Sequence, residues 1–591
     1  MSLFHNRRAP GARVDAPSAQ APHSTSLVRR GAVAILAALS CGTLASADVI
    51  YVRAGAAGAN NGTSWANAFT SVQSAIGAAG AGDELWVATG TYRPGAPGAA
   101  RTSTFNMPLG VAAYGGFAGT ESVLSQRSIG ANPTILSGDL NADDASALLG
   151  DNSYNVVTFD NVDATTVLDG FTVSGGNANG PDSPPQGARG GGAWVLTSSC
   201  TIRNCIFSGN SAGRGGGLYN RDGASPTITD CTFTANVASV SGGGVFNASS
   251  SNPVLLRCTI SGNLAFDGGG MSCVLGAQSS ATECTFADNF AQNDGGGLVM
   301  IGSEAFFDRC TISGNHAASG GGVHVTDFIA PNFHNCVISG NNATGPGGAV
   351  SALYGSITIT GCDLSGNTAV SGGGVQSYSS IVTVTNSTLA GNTAVGALGG
   401  ALRVDSDFSV NDAVLVKNCI LSPDNSSPQI LVTSGLVEIS SSMVTGGFEG
   451  PGNITADPMF EPGTRRPGAA SPCIDAGSND ALEAVQPALT SDLGGAPRAV
   501  DDPAAPDTGQ GTPPIVDMGA YERQPAPPPC PADFNNSGSV TSADITSFLG
   551  AWFADLLGGT LIADFNDSGA TTSADITAFL SAWFDALANG C

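Results

Sequence analysis

The chain has 591 residues, enough for several domains, with 82 Gly and only 12% charged side chains. That composition suits a turn-rich β architecture better than a globular α/β enzyme. Forty-seven Asp and Glu against 21 Lys and Arg give a formal charge of −26, a surface that repels phosphate backbones, excludes nucleic acid as a partner and accommodates divalent cations.

The first segment reads as an address. Arg29-Arg30, the apolar run from Gly31 to Leu44 and the small residues Ala45-Ser46-Ala47 make residues 1–47 a secretory signal cut before Asp48. Cys41 follows Ala38-Leu39-Ser40, a poor lipoprotein signal. The mature chain is therefore expected to be secreted or on the cell surface, and more acidic still, since the signal takes away five Arg and one Asp. No other run of 18 apolar residues follows, so no transmembrane helix is expected.

Residues 48–100 read as an N-terminal cap. A strand at Val49-Ile50-Tyr51-Val52 leads to a helical pattern of Trp65, Phe69, Val72 and Ile76, with Thr63 or Ser64 as N-cap, then to Glu84-Leu85-Trp86-Val87. A helix laid across the first coil covers its unpaired strands. Residues 101–452 then form the main body, opening with irregular coils such as Val111 to Phe117, Pro133 to Asp139 and Val167 to Phe171.

From Gly190 to Ala401 one phrase recurs. Cys205, Cys231, Cys258, Cys284, Cys310, Cys336 and Cys362 are 26 or 27 residues apart. Asn210, Asn236, Asn263, Asn289, Asn315, Asn341, Asn367 and Asn392 keep step, as do glycine corners such as Gly215-Gly216-Gly217-Leu218. In Cys231-Thr232-Phe233 the Cys and Phe share one parity and the Thr has the other, which is strand periodicity. A fixed period of this length predicts a solenoid, mainly β: a right-handed parallel β-helix of about 26 residues per coil. Leucine-rich repeats need an LxxLxL spacing, and calcium-binding nonapeptide rolls need an Asp every nine residues; neither is present. The stacked Asn are expected to form an amide ladder, the glycines to meet a positive-φ corner, and the Cys to pack as buried thiols, because parallel neighbours present their Cβ atoms side by side. Asp230, Arg257, Glu283 and Arg309 alternate in sign along one outward column and are expected to pair.

The phrases FSGN, FTAN, FADN and ISGN, alternating with GGGL, GGGV and GGAL, resemble the FxxN and GGA[LIV] repeats of the polymorphic outer-membrane-protein family, whose members are surface-exposed β-helical passengers. The likeness covers Gly190 to Ala401 and implies architecture and surface display. Members of that family end in a membrane β-barrel, whereas this chain ends in an acidic module, so autotransport is not expected. The opening coils, and a closing segment over 453–523 with Ser471-Pro472-Cys473-Ile474-Asp475-Ala476-Gly477 and Val516 to Glu522, look like those of secreted bacterial right-handed β-helix repeat proteins. Some of that group are named probable pectate lyase.

A Pro-rich linker at 524–529 introduces a second module at 530–591. Two copies lie 31 residues apart, DFNNSGSVTSAD from Asp533 and DFNDSGATTSAD from Asp564. Oxygen side chains fall at positions 1, 3, 5, 9 and 12, with Gly at 6, the spacing that wraps a hard cation. An alternative is a helical hairpin with Asn/Ser-rich turns; seven Asp and no Lys or Arg between Cys530 and Cys591 favour a cation. The pair resembles a dockerin, the duplicated EF-hand-like calcium module that plugs secreted proteins into partner scaffolds. The resemblance carries Asp533, Asn535, Ser537, Thr541 and Asp544, with Asp564, Asn566, Ser568, Thr572 and Asp575, onto Ca2+ ligand positions. Ser rather than Asp at position 5 and the long spacing depart from it. Cys530 and Cys591 bracket the module and are expected to form a disulfide.

For chemistry, acids stack at only one place: Asp267 and Asp294, each just before a glycine triplet on successive coils. The pair is compatible with a retaining glycosidase, a surface cation or solvated turn residues; its column neighbours are Arg214, Ser241 and Ser319, with no aromatic platform in that column. His316, His324 and His334 fall near one coil beside Asp327, and their spacing does not require a common face. The favoured expectation is a non-catalytic exported rod for adhesion or scaffolding, held to a protein or envelope scaffold by the calcium module. The alternative is a polysaccharide lyase or glycoside hydrolase of β-helix type. Lys417 is the only Lys in the chain, which weakens the lyase.

Overall fold

A phrase that alternates apolar and polar side chains buries its apolar parity only by stacking on a copy of itself. The computed structural model, which describes residues 47–589 apart from 147–148, 182–186, 328–329, 408–412, 423–427 and 526–529, winds in this way as a parallel β-helix. The expected signal segment falls outside the described residues but for Ala47. Strands of successive coils pair in parallel into four sheets, of 14, 13, 9 and 12 strands. One coil runs through Thr227–Thr229 on the first face, Thr232–Thr234 on the second, Val237–Ser241 on the third and Val245–Asn247 on the fourth. Each strand is in register with the next coil, Phe233 over Ile260 and Val245 over Met271. Ile228, Phe233, Ala238 and Val245 face inward and are buried. Where two Phe coincide their rings stack, as in Phe207–Phe233 at 4.8 Å and 6°.

The three ordered corners use different chemistry. Between the first and second faces, Asn204, Asp230, Arg257, Glu283, Arg309 and Asn335 take φ between 50° and 55°, a left-handed bend that costs a non-Gly residue roughly 1 kcal/mol or more. The expected charge alternation pairs across coils: Arg257 donates twice to Asp230 at 2.8 Å, and Arg309 bonds Glu283 at 3.3 Å. Directly behind each bend sits the Cys, buried and unpaired; burial pushes the thiol of Cys419 in this column up, and likewise those of Cys200 and Cys273 elsewhere in the core.

The second corner is the amide ladder. Asn289 Nδ2 donates to Asn315 Oδ1 at 3.0 Å and to the Ile260 carbonyl at 2.9 Å. Its Oδ1 accepts from the backbone N and the Nδ2 of Asn263, both at 3.0 Å. Every polar atom of the side chain is satisfied, and the pattern repeats from Asn210 through Asn367.

The glycine corner corrects the expected reason for the triplets. Only the first glycine has positive φ, 60° to 69° in Gly215, Gly242, Gly268, Gly295 and Gly320. The second and third are needed because coils touch there: a Cβ on Gly216 would stand 2.5 Å from the Gly243 carbonyl oxygen, and one on Gly217 2.6 Å from that of Gly244.

At the N-terminal end the strand is Val49–Val52 as expected, but the helix is Val72–Ala78 with Ser71 as N-cap. It starts later than the pattern suggested. The side chains of Asn60, Asn61, Ser64 and Asn67 bond backbone amides nearby and hold the preceding residues in turns. Val72, Ala75 and Ile76 close the core. The closing segment does more than cover the far end: it runs back beside several coils at their first corner. Asn332 Nδ2 donates to the Gln486 carbonyl, Arg498 to that of Asn386, and Ala520 N to Thr388 Oγ. Two helices, Ser542–Gly558 and Ser573–Asn589, complete the described chain.

Substituting Asn289→Ala removes four hydrogen bonds from the interior and should destabilise the rod by about 3 kcal/mol or more. Thr259→Ala on the outer face should change stability by no more than about 0.5 kcal/mol. Denaturant melts of the two variants check this.

Candidate active site

The register that aligns the ladder also fixes what the glycine corner displays. Arg214 pairs with Ser241 and Ser241 with Asp267 on successive third-face strands. Gly268 N then bonds the Asp294 carbonyl, and Asp294 bridges to Ser319. The expected column therefore exists, with its two acids on adjacent coils. Asn293 Nδ2 donates to Asp267 Oδ1 and to Asp294 Oδ2, both at 3.0 Å. The two oxygens thus lie no farther apart than two such bonds end to end. Burial first, then the neighbouring Asp267, pushes the Asp294 pKa up to about 6.

Behind the acids lies a polar relay. His324 is buried, with Nδ1 3.8 Å from Asp294 Oδ1 and 3.2 Å from Ser319 Oγ, which in turn donates to Ser351 Oγ at 3.1 Å. Burial lowers the His324 pKa to about 4, so the ring is neutral near pH 7. The three His do not share a face: His316 stacks on Phe290 at the third face, His324 is on the fourth, and His334 bonds Asp308 at 2.9 Å on the first. They form no metal site.

An aromatic cluster lies one column away from the acids, its three rings largely buried. Trp194, Tyr219 and Phe246 follow the glycine triplets by one residue and stand in register on the outer side of the fourth face. Tyr219 and Phe246 stack at 5.2 Å and 5°. The signal was in the sequence, in the second residue after each triplet. With Arg189, Arg214, Arg221 and Asp267, the edges of Tyr219 and Phe246 line a cleft of about 470 Å³; Trp194 and Asp294 lie outside its lining. The Arg189 guanidinium lies 5.9 Å from the Tyr219 ring centre, and Arg221 bonds Asp222 at 2.9 Å.

In the tail, the two loops repeat each other bond for bond. Asp533 Oδ1 and Asn535 Oδ1 both accept from Ser537 N at 2.9 Å, and Asp533 Oδ2 accepts from Gly538 N at 2.7 Å. Asp544 Oδ1 accepts from Asn535 N and Oδ2 from Thr541 N. Asp564, Asn566, Ser568 and Asp575 make the same set. Oxygen donors at positions 1, 3, 5 and 12 are thus drawn onto one loop interior, a donor set that fits a hard cation. The Thr541 and Thr572 hydroxyls cap their helices, accepting from Ala543 N and Ala574 N. Each helix bonds the other's loop, Trp552 Nε1 to the Thr572 carbonyl and Trp583 Nε1 to that of Thr541. Cys530 is disulfide-bonded; Cys591 lies outside the described residues.

Because the folded-state pKa of Asp294 exceeds the ordinary carboxylate value, the fold holds that proton more tightly than the unfolded chain does. Stability should fall as pH rises from about 4 to about 6. Asp294→Asn should flatten this dependence and leave the protein more stable than the parent at pH 7 by roughly 1–3 kcal/mol, as melts across that range would record.

The family model described as right handed beta helix region matches residues 145–328 and 296–455, more than half of the chain between them. No curated protein matches. Among solved structures, the crystal structure of pectate lyase Pel9A aligns over 81% of this chain and 97% of its own, at 16% identity and a TM-score of 0.33. The catalytic unit of the thermostable GH87 alpha-1,3-glucanase from Streptomyces thermodiastaticus strain HF3-3 aligns over 65% of each chain, at 14% identity and a TM-score of 0.36. By the family match, and by four parallel sheets stacked coil on coil, the chain belongs to the right-handed β-helix family.

Proposed function

We propose that this β-helix acts on a polysaccharide laid along its glycine-corner face, with Asp294 and Asp267 as the working carboxylates. The observation that carries the reading is one cleft that combines two stacked rings, three guanidinium groups and Asp267, with Asp294 tied to Asp267 through the Asn293 amide. Guanidinium groups recognise carboxylates, so the cleft suits a chain bearing uronate groups. Asp294, with its raised pKa, holds a proton to give to a leaving glycosidic oxygen, and Asp267 supplies the second carboxylate. Their shared amide holds one oxygen of each within two 3.0 Å bonds of the other, closer than the roughly 6.5–9.5 Å of an inverting pair. A hydrolase is favoured over a lyase by the two carboxylates held on adjacent coils by one amide.

The second reading is the display rod without chemistry. It is favoured by an exposed apolar stripe on the third face, where Val237, Leu264 and Phe290 follow one another on successive coils, a surface suited to adhesion or scaffolding. Release of reducing ends from a panel of neutral and uronate polysaccharides separates the two readings. The parent should cut at least one uronate polymer, Asp267→Asn/Asp294→Asn should lose at least about a thousandfold in rate while still binding, and Arg214→Ala should weaken binding. Equal, zero turnover in parent and double variant would leave only the rod.

The tail is read as a dockerin-like anchor on an exported protein. Its donors are all oxygen, suited to Ca2+, which when bound would supply the charge that holds each loop closed. Phe553 and Phe584, and Leu556 and Leu587, are exposed at matching positions of the two helices, a duplicated apolar face suited to a scaffold protein. Pairing of Cys530 with Cys591 would close the module. In the full chain, calcium should raise the protease resistance of residues 530–591, and Asp544→Ala/Asp575→Ala should abolish the effect.

A further inference from the structure

Asp475 stands in the closing segment, in the phrase Ser471 to Gly477, and is fully buried. Its backbone is committed: the N donates to Asp517 Oδ1 at 2.7 Å, and the carbonyl accepts from Thr508 N and Gly509 N at 2.9 Å. Its side chain is not. Oδ2 accepts one long bond from Asp502 N at 3.4 Å, and Oδ1 has no hydrogen-bond partner. Among the described residues no ion pair reaches it. Nearby guanidinium groups are engaged elsewhere, Arg523 with Asp502 and Glu461, Arg498 with Glu522, and Arg466 with Asp492.

A buried carboxylate with an unmatched oxygen is costly unless a positive charge compensates it. What surrounds this one is more negative charge. Asp501 and Asp507, both exposed, come from the two ends of the loop pinned by Thr508 and Gly509. One oxygen from each of Asp475, Asp501 and Asp507 lies within 4.8 Å of the others. Burial, and the nearby Asp501, Asp507 and Glu522, push the Asp475 pKa up to about 6.

We propose that Asp475, Asp501 and Asp507 form a calcium site, separate from the tail loops, that clamps loop 501–509 onto the closing segment. The donors are all carboxylate oxygens, which select a hard cation over zinc or copper. Oxygens around calcium at about 2.3–2.6 Å stand up to about 5 Å apart across the ion, a looser shell than magnesium demands. The cation neutralises the buried charge and turns three repelling acids into one tie. Asp475 holds the ion to the body, while Asp501 and Asp507 bring the loop to it.

The test uses the full chain carrying Asp544→Ala/Asp575→Ala, so that the tail loops do not contribute. Calcium at a hundred times its dissociation constant should slow local opening, and hence amide exchange of residues 499–511, by about a hundredfold. Adding Asp501→Ala/Asp507→Ala, at two exposed positions that leave the core untouched, should erase that protection and lower the calcium bound per chain by one. Asp475→Asn gives a second check: it should melt higher than its parent in chelator and lose that advantage in calcium. Unchanged stoichiometry and unchanged protection in the Asp501→Ala/Asp507→Ala variant would overturn the proposal, as would an Asp475→Asn protein equally favoured with and without calcium.

Discussion

The rod depends on one repeated contact, the amide of each ladder Asn gripping the one on the next coil. Its side-chain bonds run unbroken from Asn210 to Asn392, and it tolerates no slip. A coil displaced by one residue would leave two amides and a carbonyl unpaired in the interior, and would turn Phe233 and its counterparts outward. Hydrophobic stacking supplies most of the drive to bury the core, but apolar surfaces slide; the directional bonds of the ladder set the register.

Because register is absolute, anything placed at one point of a coil becomes a line along the molecule. Arg189, Arg214 and the acids before the glycine triplets form one such line, and the rings after the triplets form another beside it. No single coil holds the site. It is assembled from consecutive coils, each contributing one or two groups, on a frame whose strands leave little freedom to drift. Preorganisation of this kind is what a polymer-binding cleft needs, and it comes from the same bonds that hold the fold.

The coil and its corners were legible because repetition writes each structural role several times over. Cys231, Asn236 and Gly242 announce themselves by recurring, and the charge alternation from Asp230 to Arg309 confirms the phase. Irregular parts carry no such echo. The helix at Val72 was displaced by Asx-type hydrogen bonds that periodicity does not register. The Trp194–Tyr219–Phe246 stack was readable in principle, but it occupies three coils and then gives way to Ser272 and Val299, so it does not stand out as a repeat. The raised pKa of Asp294 depends on burial, which spacing alone does not report. Asp475 was further out of reach, since Asp501 and Asp507 come to it from a distant loop.

One feature of the core bears on how such a chain is made. Eleven cysteines are buried as free thiols, all at sulfur positions that a folded coil shields from reagents. An unfolded copy meeting an oxidant would have far more wrong disulfides open to it than the single bond made by Cys530. Successful maturation is therefore a race, in which each coil must close over its sulfur before thiol chemistry finds it. Winding from one end, with every finished turn templating the next, wins that race turn by turn.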